Sequence, residues 1–305
     1  MKTKGAELVW FDGDYVKWEE AKVPVMTHAL HYGTAVFEGI RAYATDNNLF
    51  IFRLRDHMQR LHRSADVYSI SIKYSVEELC NATVELIKKT SIKESCYIRP
   101  LTFVGVHGID LNVTKDSPTH TTIIIFPFAK YFKVEGISAC VSTWRRIDGD
   151  STPPMAKAAG NYLNSILATQ ESKRIGFDES ILLDRNGNVS EASGENIFLV
   201  RNSAIYTPQT SDSILEGITR DTTISIAKEM GYEIIERPIS RTELYLADEL
   251  FLTGTAAEIV AITKIDGHDV GRGKEGLVTR SIRQKYEKLV SGKLKKYMDW
   301  LTPVW

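Results

Sequence analysis

Residues 155–164 have the sequence Met-Ala-Lys-Ala-Ala-Gly-Asn-Tyr-Leu-Asn, and the interpretation of the whole chain starts from them. Lys157 is flanked by small residues and precedes a helix predicted over about 161–174, which ends at Gly176. Small neighbours let a lysine approach a flat ligand closely, and an amine in a partly dry site has a lowered pKa suited to forming a Schiff base. Taken alone, this segment is better interpreted as carrying a solvated surface lysine. A reactive role for Lys157 therefore needs support from other segments of the chain.

Three further glycine-containing segments place acidic or anion-binding groups outside the periodic apolar positions of a core. Residues 189–196 (Val-Ser-Glu-Ala-Ser-Gly-Glu-Asn) offer a carboxylate for a cationic ring nitrogen, with a polar turn as the alternative. Residues 215–221 precede an amphipathic helix, so its free N–H groups and Thr219 can form a phosphate site or an ordinary N-cap. Residues 251–258 form a turn that can present consecutive amides to an anion.

The composition is that of an ordinary globular protein. The chain has 305 residues, 38 basic and 39 acidic side chains, and 43% hydrophobic residues, which disfavours disordered and coiled-coil classes. This length favours two domains with a cleft between them, where small molecules tend to bind. The net charge of −1 gives no general attraction for nucleic acid or anionic lipid, so any phosphate recognition must be local.

Cysteine, histidine and terminal sequences give no sign of a metal, a disulfide or a membrane segment. The three cysteines form no CxxC pair and no zinc-like spacing with histidine, and His28 and His31 have no third ligand at a suitable spacing. Residues 1–7 lack the apolar core of a signal peptide, and no stretch approaches the roughly 18 uncharged apolar residues of a membrane span. We therefore expect a cytoplasmic protein with reduced thiols and no bound metal.

The apolar periodicity predicts an α/β protein of two domains, a smaller α+β domain followed by a larger mixed α/β domain. In the first half, strands are predicted at residues 8–11, 15–18, 97–105 and 121–128. Two helices are predicted between the second and third of these strands. The first is amphipathic around Met58 and Leu61, and the second opens with a capping box formed by Ser75 and Glu78.

The connection between the domains is placed at residues 128–136, where an apolar run gives way to mixed sequence closed by glycine. The predicted domains are therefore 1–127 and 137–305, and the second carries Lys157. Its predicted elements are a strand at 137–144, the helix at about 161–174, hairpins at 180–189 and 196–206, a helix from Thr219 to Gly231, a short helix capped by Ser240 and Glu243, strands at 249–253 and 258–265, and a C-terminal helix.

Two upstream segments complete the pattern, residues 31–41 (His-Tyr-Gly-Thr-Ala-Val-Phe-Glu-Gly-Ile-Arg) and 60–62 (Arg-Leu-His). Together with the four segments above, they resemble the signature of class IV aminotransferases of the branched-chain amino acid type. The resemblance runs from about residue 9 to 258, with the motifs in the same order. It implies the pyridoxal-phosphate fold known as fold type IV, with the cofactor between a smaller N-terminal and a larger C-terminal domain.

The resemblance implies a role for each motif residue around pyridoxal 5′-phosphate (PLP). Lys157 would carry the cofactor and then move the proton between substrate Cα and cofactor C4′. Glu191 would pair with the pyridine nitrogen, and Tyr162 would hydrogen-bond the phenolic oxygen. Arg60, Ile218, Thr219 and Thr255 would hold the phosphate, with Gly217 letting the backbone approach, and Asn196 and Leu215 complete the cofactor-binding set.

Substrate contacts follow from the same resemblance. Period-two alternation turns Tyr97 and Arg99 to one side of their strand, where Arg99 would meet the side-chain carboxylate of glutamate or 2-oxoglutarate. The implied substrate-binding set is Tyr32, Phe37, Gly39, Arg41, Tyr97, Arg99, Ile109, Leu111, Phe128, Tyr131, Thr255 and Ala256. Phe128, where relatives often carry tryptophan, and Asp110, a charge in a usually neutral loop, leave the side-chain preference open.

The function implied is transamination of leucine, isoleucine or valine with 2-oxoglutarate, in two half-reactions. Tyr32 and the loop 107–111 resemble segments that reach into a neighbouring subunit, which implies a homodimer as the minimal active unit, with a hexamer left open. A D-amino acid or (R)-amine aminotransferase of the same fold is the nearest alternative. A more remote alternative is a protein that binds a phosphorylated ligand without catalysis.

Overall fold

The computed structural model describes residues 7–128 and 136–305. Their contacts divide the chain into two compact units, of which unit 1 comprises residues 7–128, 156–160 and 289–305 and unit 2 comprises residues 136–155 and 161–288. This division differs from the expected domains, because the segment around Lys157 and the C-terminal residues cluster with unit 1 instead of the C-terminal domain. Most of the expected connection at 128–136 lies outside the described residues.

The regular elements are numbered along the chain. The strands are β1 (Leu8–Phe11), β2 (Asp14–Lys17), β3 (Ala35–Phe37), β4 (Ile40–Ala44), β5 (Leu49–Phe52), β6 (Cys96–Val104), β7 (Thr119–Pro127), β8 (Gly136–Arg145), β9 (Glu179–Leu183), β10 (Val189–Ala192), β11 (Asn196–Arg201), β12 (Ala204–Thr207), β13 (Glu233–Glu236), β14 (Glu249–Gly254), β15 (Glu258–Ile265), β16 (His268–Asp269) and β17 (Leu301–Pro303). The helices are α1 (His28–Tyr32), α2 (Leu54–Val67), α3 (Val76–Thr90), α4 (Tyr162–Arg174), α5 (Ile218–Glu229), α6 (Arg241–Tyr245) and α7 (Leu277–Val290). Short 3₁₀ helices span Trp18–Glu20, Ala159–Asn161, Thr210–Asp212 and Lys295–Trp300.

Unit 1 is built on an antiparallel sheet with the strand order β17-β5-β4-β6-β7-β1-β2, and β3 pairs beside β4 along the long strand β6. Helices α2 and α3 bury their apolar stripes in its core, including Met58, Leu61 and Leu86. The predicted capping box is confirmed, since Ser75 accepts from the Glu78 N–H and the Glu78 carboxylate accepts from Ser75. Burying these stripes against the sheet is the main source of the stability of unit 1.

Two distant segments join this unit through backbone pairing. Strand β17 adds an edge to the sheet by pairing with β5, and residues 156–160 lie against β3. The expectation that the segment of Lys157 belongs with the C-terminal half fails for this reason, because its backbone partners lie in the N-terminal sheet. The strands β3, β4 and β5 were not predicted from the sequence either.

Unit 2 is built on a mixed sheet with the order β10-β9-β8-β15-β14-β11-β12-β13, to which β16 adds beside β15. Both predicted hairpins are confirmed, β9–β10 and β11–β12. Their turns use left-handed backbone at Gly187 (φ 88°) and at Asn202 and Ser203 (φ 51° and 66°). A buried cluster that includes Ile181, Leu199 and Leu252 forms its core.

None of the described helices is both long and apolar enough to cross a membrane.

Candidate active site

The segment that carries Lys157 is fixed to unit 1 through its backbone. The Lys157 N–H donates to Ser64 Oγ at 3.0 Å, and the Lys157 carbonyl accepts from the Phe37 N–H at 3.1 Å. Val36 and Ala158 form a bridge, and Ala158 is buried. Small side chains let the segment lie directly against β3. The half-buried Lys157 side chain then extends with Nζ 5.1 Å from the centre of the Phe37 ring.

A buried ion pair supports Arg60 on helix α2. Arg60 donates from Nε to Glu38 Oε1 at 2.7 Å and from Nη2 to Glu38 Oε2 at 2.9 Å, so the pair is bidentate. The exposed fractions are 0% for Glu38, 1% for His57 and 5% for Arg60, which makes this a cluster of ionisable groups inside the unit. Glu38 Oε2 also contacts His57 Nδ1 at 2.7 Å and accepts from the Gly39 N–H at 3.3 Å. Burial of this charge is therefore compensated on both carboxylate oxygens.

The pKa values in this cluster are displaced in a consistent direction. Burial acts to raise the pKa of the Glu38 carboxyl, but the charges and hydrogen bonds of Arg60 and His57 outweigh it and hold this pKa far below its usual range. Burial lowers the pKa of the His57 imidazole, and the charges of Arg60 and Lys157 add to this against the opposing Glu38. His57 is therefore neutral near pH 7, and its Nδ1 donates to the carboxylate, which can only accept.

An aromatic surface in unit 1 joins the amine of Lys157 to a second cation. The Arg99 guanidinium lies 4.6 Å from the centre of the Phe37 ring, and Arg99 Nη2 donates to the Tyr97 hydroxyl at 3.2 Å. A Cβ at Gly39 would lie 1.9 Å from that hydroxyl oxygen, so the close approach of Tyr97 requires glycine there. Arg99 Nε is buried and has no hydrogen-bond partner among the described residues. The predicted same-side placement of Tyr97 and Arg99 is confirmed by their contact.

Arg41 and Phe128 extend this surface. The buried Arg41 guanidinium lies 5.2 Å from the centre of the Phe128 ring, and Phe128 lies 5.4 Å from the ring of Tyr97. Arg41 and Tyr97 are also direct cross-strand partners between β4 and β6. The structure therefore brings these three predicted residues together with Arg99. Tyr131, predicted for the same pocket, lies outside the described residues.

Three other predicted residues group together at an exposed surface of unit 1. The exposed fractions are 44% for Tyr32, 76% for Ile109 and 73% for Leu111. The Tyr32 hydroxyl donates to the Ile109 carbonyl at 3.4 Å, and His28 Nε2 lies 3.0 Å from the carbonyl of Asp110. Large apolar side chains exposed in one group are typical of a surface that another protein chain covers.

Unit 2 holds a second buried carboxylate, Glu191, at the end of β10. Its Oε2 accepts from the Leu215 N–H at 3.0 Å and from Asn196 Nδ2 at 2.9 Å, while its Oε1 pairs with Arg146 Nη2 at 2.8 Å. Asn196 Nδ2 also donates to the Leu215 carbonyl at 2.9 Å. Both side chains of the ion pair are nearly buried, at 7% exposure each. This carboxylate is therefore fixed as an anion with a defined orientation.

The N-cap of helix α5 is a glycine, and not Thr219, which was considered for this position from the sequence. Helix α5 starts at Ile218, with Gly217 as the N-cap and no side chain capping it. A Cβ at Gly217 would lie 2.0 Å from Asn196 Oδ1, so the support of Glu191 also requires glycine here. Thr219 is 4% exposed in the first turn. The N–H groups of a first helical turn, at the positive end of the helix dipole, are suited to binding an anion such as phosphate.

The remaining predicted residues of unit 2 lie near these elements. Tyr162 is the half-buried first residue of α4, and Arg146 reaches Ser165 on the same helix, Nη1 to Oγ, at 3.4 Å. Thr255 and Ala256 are half-buried in the turn between β14 and β15. This turn lies at the same sheet end as Asn196, because Asn196 pairs with Thr253 across β11 and β14.

Each unit, taken by itself, holds groups that match part of PLP. Unit 1 offers an amine for the aldehyde and a buried guanidinium, and unit 2 offers an anionic carboxylate for a protonated ring nitrogen. Thr219 and the first turn of α5 offer a hydroxyl and backbone N–H groups for the phosphate. The residues present therefore fit this cofactor. The described residues contain no group of three or more histidine, cysteine or acidic side chains placed to hold a metal ion.

Comparison with known proteins identifies the family. The model of the family described as amino-transferase class IV matches residues 35–265, which include the motifs from β3 to β15. The chain belongs to the class IV aminotransferases. The branched-chain-amino-acid aminotransferase of Escherichia coli (strain K12) is 46% identical over 308 aligned residues, spanning 100% of this chain and 99% of the relative.

Solved structures of class IV aminotransferases match over almost the full length as well. The branched-chain aminotransferase of Thermoproteus uzoniensis with norvaline has a TM-score of 0.96 and 48% identity, covering 99% of this chain and 100% of that chain. The T.th. branched-chain amino acid aminotransferase complexed with N-(5′-phosphopyridoxyl)-L-glutamate has a TM-score of 0.94 and 42% identity, covering 98% and 99%. The predicted fold class is confirmed, and the chain is an enzyme that transfers amino groups.

Four residues of this class IV aminotransferase site were not assigned roles from the sequence. They are Glu38 and His57, which contact Arg60 or its partner, Ser64, which binds the Lys157 backbone, and Arg146, which pairs with Glu191. Glu38 lies within the quoted motif 31–41, but the spacing gives no indication that its side chain turns inward to α2. Arg146 has no local signal, because its exposed neighbour Arg145 is the same residue type.

Proposed function

We propose that this aminotransferase exchanges amino groups between leucine, isoleucine or valine and 2-oxoglutarate, using PLP. The main support is the position of the Phe37 ring between two cationic groups. The centre of this ring lies 5.1 Å from Lys157 Nζ and 4.6 Å from the guanidinium carbon of Arg99. A substrate bound at the amine has an apolar surface beside it and a cation at the far edge. This arrangement suits both an apolar side chain and a side chain that ends in a carboxylate.

In this proposal, each chemical group of PLP has its own binding residues. Lys157 binds its aldehyde group covalently, Glu191 keeps its ring nitrogen protonated, and Tyr162 hydrogen-bonds its phenolic oxygen. The phosphate contacts are Arg60, the first turn of α5 with Gly217, Ile218 and Thr219, and Thr255. When bound, PLP supplies an electron sink for the negative charge that develops at the substrate Cα. Relatives solved in the PLP form and with pyridoxamine 5′-phosphate support the choice of cofactor.

Lys157 then acts as the general base. Its Nζ removes the proton from the substrate Cα in one half-reaction and returns a proton to Cα in the reverse direction. Hydrogen bonds to the Lys157 N–H and carbonyl fix the backbone from which this side chain extends. Asn196 and Leu215 keep Glu191 in one orientation, so the ring nitrogen meets a fixed charge.

Two substrates share one pocket in this proposal. Phe37, Tyr97 and Phe128 contact the apolar side chain, and Arg41 lies beside Phe128. The amides of Thr255 and Ala256, with Tyr97, bind the α-carboxylate. Arg99 pairs with the second carboxylate of glutamate or 2-oxoglutarate. The unpartnered Arg99 Nε supports this, because a buried guanidinium N–H without an acceptor suits an incoming anion.

We propose a homodimer as the minimal active unit. The exposed group Tyr32, Ile109 and Leu111 supports this, together with Leu30 at 64% exposure nearby in sequence. Such apolar exposure is typical of a surface covered in the assembled protein.

A cytoplasmic location is part of the same proposal. It is supported by the three cysteines, none of which forms a disulfide in the described residues. Burial raises the thiol pKa of Cys80 and Cys140 to about 11 and that of Cys96 to about 12, so these thiols are protonated near pH 7.

A substrate panel with 2-oxoglutarate as acceptor tests the proposed activity. L-leucine, L-isoleucine and L-valine should be the best donors, with glutamate formed in equal amount to the 2-oxo acid. D-amino acids and (R)-amines should give little product. A faster reaction with D-alanine or an (R)-amine would instead support the nearest alternative. The complex of the T.th. relative with N-(5′-phosphopyridoxyl)-L-glutamate favours the L-series.

A further inference from the structure

We infer that Glu38 is a positioning residue that orients the Arg60 guanidinium and thereby sets how tightly the phosphate of the cofactor is held. This inference rests on the proposed function, in which Arg60 binds that phosphate. It concerns a residue to which neither the motif nor the comparisons give a role. Three observations from unit 1 carry it: the form of the ion pair, its burial, and the other partners of Glu38.

The form of the ion pair restricts Arg60. A bidentate pair from Nε and Nη2 fixes the plane of the guanidinium and uses one of its edges, so the Nη1 side faces away from Glu38. A single hydrogen bond would leave the guanidinium free to rotate about its contact. The direction in which Arg60 presents its remaining donors is therefore set by Glu38.

Burial makes the restriction strong. Glu38 is fully buried and Arg60 is 5% exposed, so water cannot replace either partner of the pair. His57 Nδ1 and the Gly39 N–H hold the carboxylate from other directions. Glu38 is thus anchored by helix α2 and by its own chain segment, and it serves as a fixed acceptor against which Arg60 is aligned.

The same carboxylate has a second, opposite effect. Its negative charge lies next to Arg60 and reduces the attraction of the cluster for a phosphate. If charge alone mattered, removing Glu38 would tighten phosphate binding. If orientation matters more, removing Glu38 weakens it, and the structure favours this outcome because a neutral amide offers only one acceptor to two donors.

The experiment compares PLP with pyridoxal, which lacks the phosphate. Each is titrated into cofactor-free full-length protein, and binding is followed by the absorption of the bound cofactor. The ratio of the two dissociation constants isolates the phosphate contribution, and general loosening of the site affects both ligands alike. We expect Glu38→Gln to lower the preference for PLP by about 10-fold or more, the loss of one well-oriented hydrogen bond to a charged group.

A second test variant and a matched control accompany Glu38→Gln. Glu38→Asp keeps the charge but withdraws it by one methylene group, so it should also lower the preference for PLP, and it serves if Glu38→Gln does not fold. Asp56→Asn is the matched control, because Asp56 lies on the same helix as Arg60 and pairs, at a half-exposed position, with Arg53 just before that helix. This control should leave the ratio unchanged.

Arg60→Ala separates this inference from the proposed function. If Arg60→Ala leaves the ratio unchanged, Arg60 does not hold the phosphate, and the proposed function loses that contact. If Arg60→Ala lowers the ratio but Glu38→Gln leaves it equal or raises it, only the role of Glu38 is overturned. The inference requires that Glu38→Gln has no further effect on the ratio when Arg60 is already alanine.

Discussion

In each unit, the described residues include a buried carboxylate–arginine pair, and we propose reversed roles for the two pairs. In unit 1, Arg60 is the proposed ligand-binding member and Glu38 supports it. In unit 2, Glu191 is the proposed ligand-binding member and Arg146 supports it. The signs match the cofactor, since a phosphate needs a cation and a protonated ring nitrogen needs an anion. A buried charge that must bind a ligand needs a fixed partner of opposite sign, because the charge would otherwise be costly in the free enzyme.

The two buried carboxylates also differ in the chemistry of their other hydrogen-bond partners. Glu38 has a second side-chain partner in a neutral imidazole, His57, whereas the other described hydrogen bonds to Glu191 come from the Asn196 amide and the Leu215 backbone. The first pair is therefore coupled to a titratable imidazole, whose pKa burial lowers below its ordinary value of 6.5. The second is coupled to groups that do not titrate. This difference predicts that acidification affects the pair of unit 1 first.

The largest effect is expected from Lys157, the proposed covalent partner of the cofactor. Lys157→Ala removes the covalent partner of the cofactor and the general base, so turnover should fall by well over ~10²-fold, as measured in the leucine and 2-oxoglutarate assay. Lys115→Ala is the control, because Lys115 is an exposed lysine whose loss should change little. Near-normal turnover of Lys157→Ala would remove the basis of the comparison.

The next effect concerns Arg99, which has a role in only one half-reaction. Leucine cannot use a guanidinium, whereas glutamate buries a second carboxylate that must be paired. Arg99→Ala should therefore impair the glutamate half-reaction more than the leucine half-reaction by about 2–5 kcal/mol in activation free energy. Single-turnover reaction of the PLP form with each amino acid measures both. Equal losses would mean that Arg99 binds the α-carboxylate or holds its strand in place.

The reversed roles are tested directly at Glu191. Glu191→Gln keeps the shape but removes the charge that favours a protonated ring nitrogen, so loss of the Cα proton should slow by about 10²-fold with a smaller change in cofactor affinity. Deuterium exchange at Cα of leucine gives this rate. Glu195→Gln is the matched control, because Glu195 is a neighbouring buried acid. If Glu195→Gln were the damaging change, the wrong carboxylate would have been assigned.

A substitution of Arg146 tests whether this residue acts through Glu191. If Arg146 acts through Glu191, then Arg146→Gln should slow Cα exchange by about 10-fold, the loss of one hydrogen bond between charged groups. It should have no further effect in the Glu191→Gln background. Additive effects of the two changes would show that Arg146 acts independently of Glu191.

The smallest effect concerns pH. Because burial lowers the pKa of His57 below its ordinary value of 6.5, the unfolded chain binds more protons than the folded chain as pH falls through this range. The free energy of unfolding should therefore decrease as the pH falls through the ordinary value of 6.5, with a slope from this residue no steeper than about 1.4 kcal/mol per pH unit. His57→Asn keeps an N–H donor and should flatten this slope in urea unfolding. An unchanged slope would show that His57 does not titrate in this way.

Local sequence was enough to predict the elements that depend on neighbouring residues. The capping box of Ser75 and Glu78 and the turn at Asn186-Gly187 are both confirmed, because their geometry is encoded within a few residues. The residues of β17 and the segment 156–160 were assigned to the C-terminal domain, because their backbone partners lie far away along the chain and local sequence does not reveal them.

The candidate active site likewise contains some residues that local motifs predict and others that depend on contacts far away along the chain. The ligand-binding members of the two pairs, Arg60 and Glu191, were predicted through motifs. Their supports were not, since burial of Arg146 beside exposed Arg145 and the inward turn of Glu38 depend on tertiary packing. Tertiary structure was therefore needed to see that each predicted charge has a buried partner.

The central claim is that the cofactor is attached at Lys157 and leaves it when an L-branched-chain amino acid reacts. Borohydride reduction of the purified protein, followed by mass spectrometry of its peptides, tests this most directly. We expect a pyridoxyl group on the peptide that contains Lys157, its loss after incubation with L-leucine, its return on addition of 2-oxoglutarate, and no loss with D-leucine. A pyridoxyl group on another lysine would show that Lys157 does not carry the cofactor, and its removal by D-leucine but not by L-leucine would show that the enzyme acts on D-amino acids.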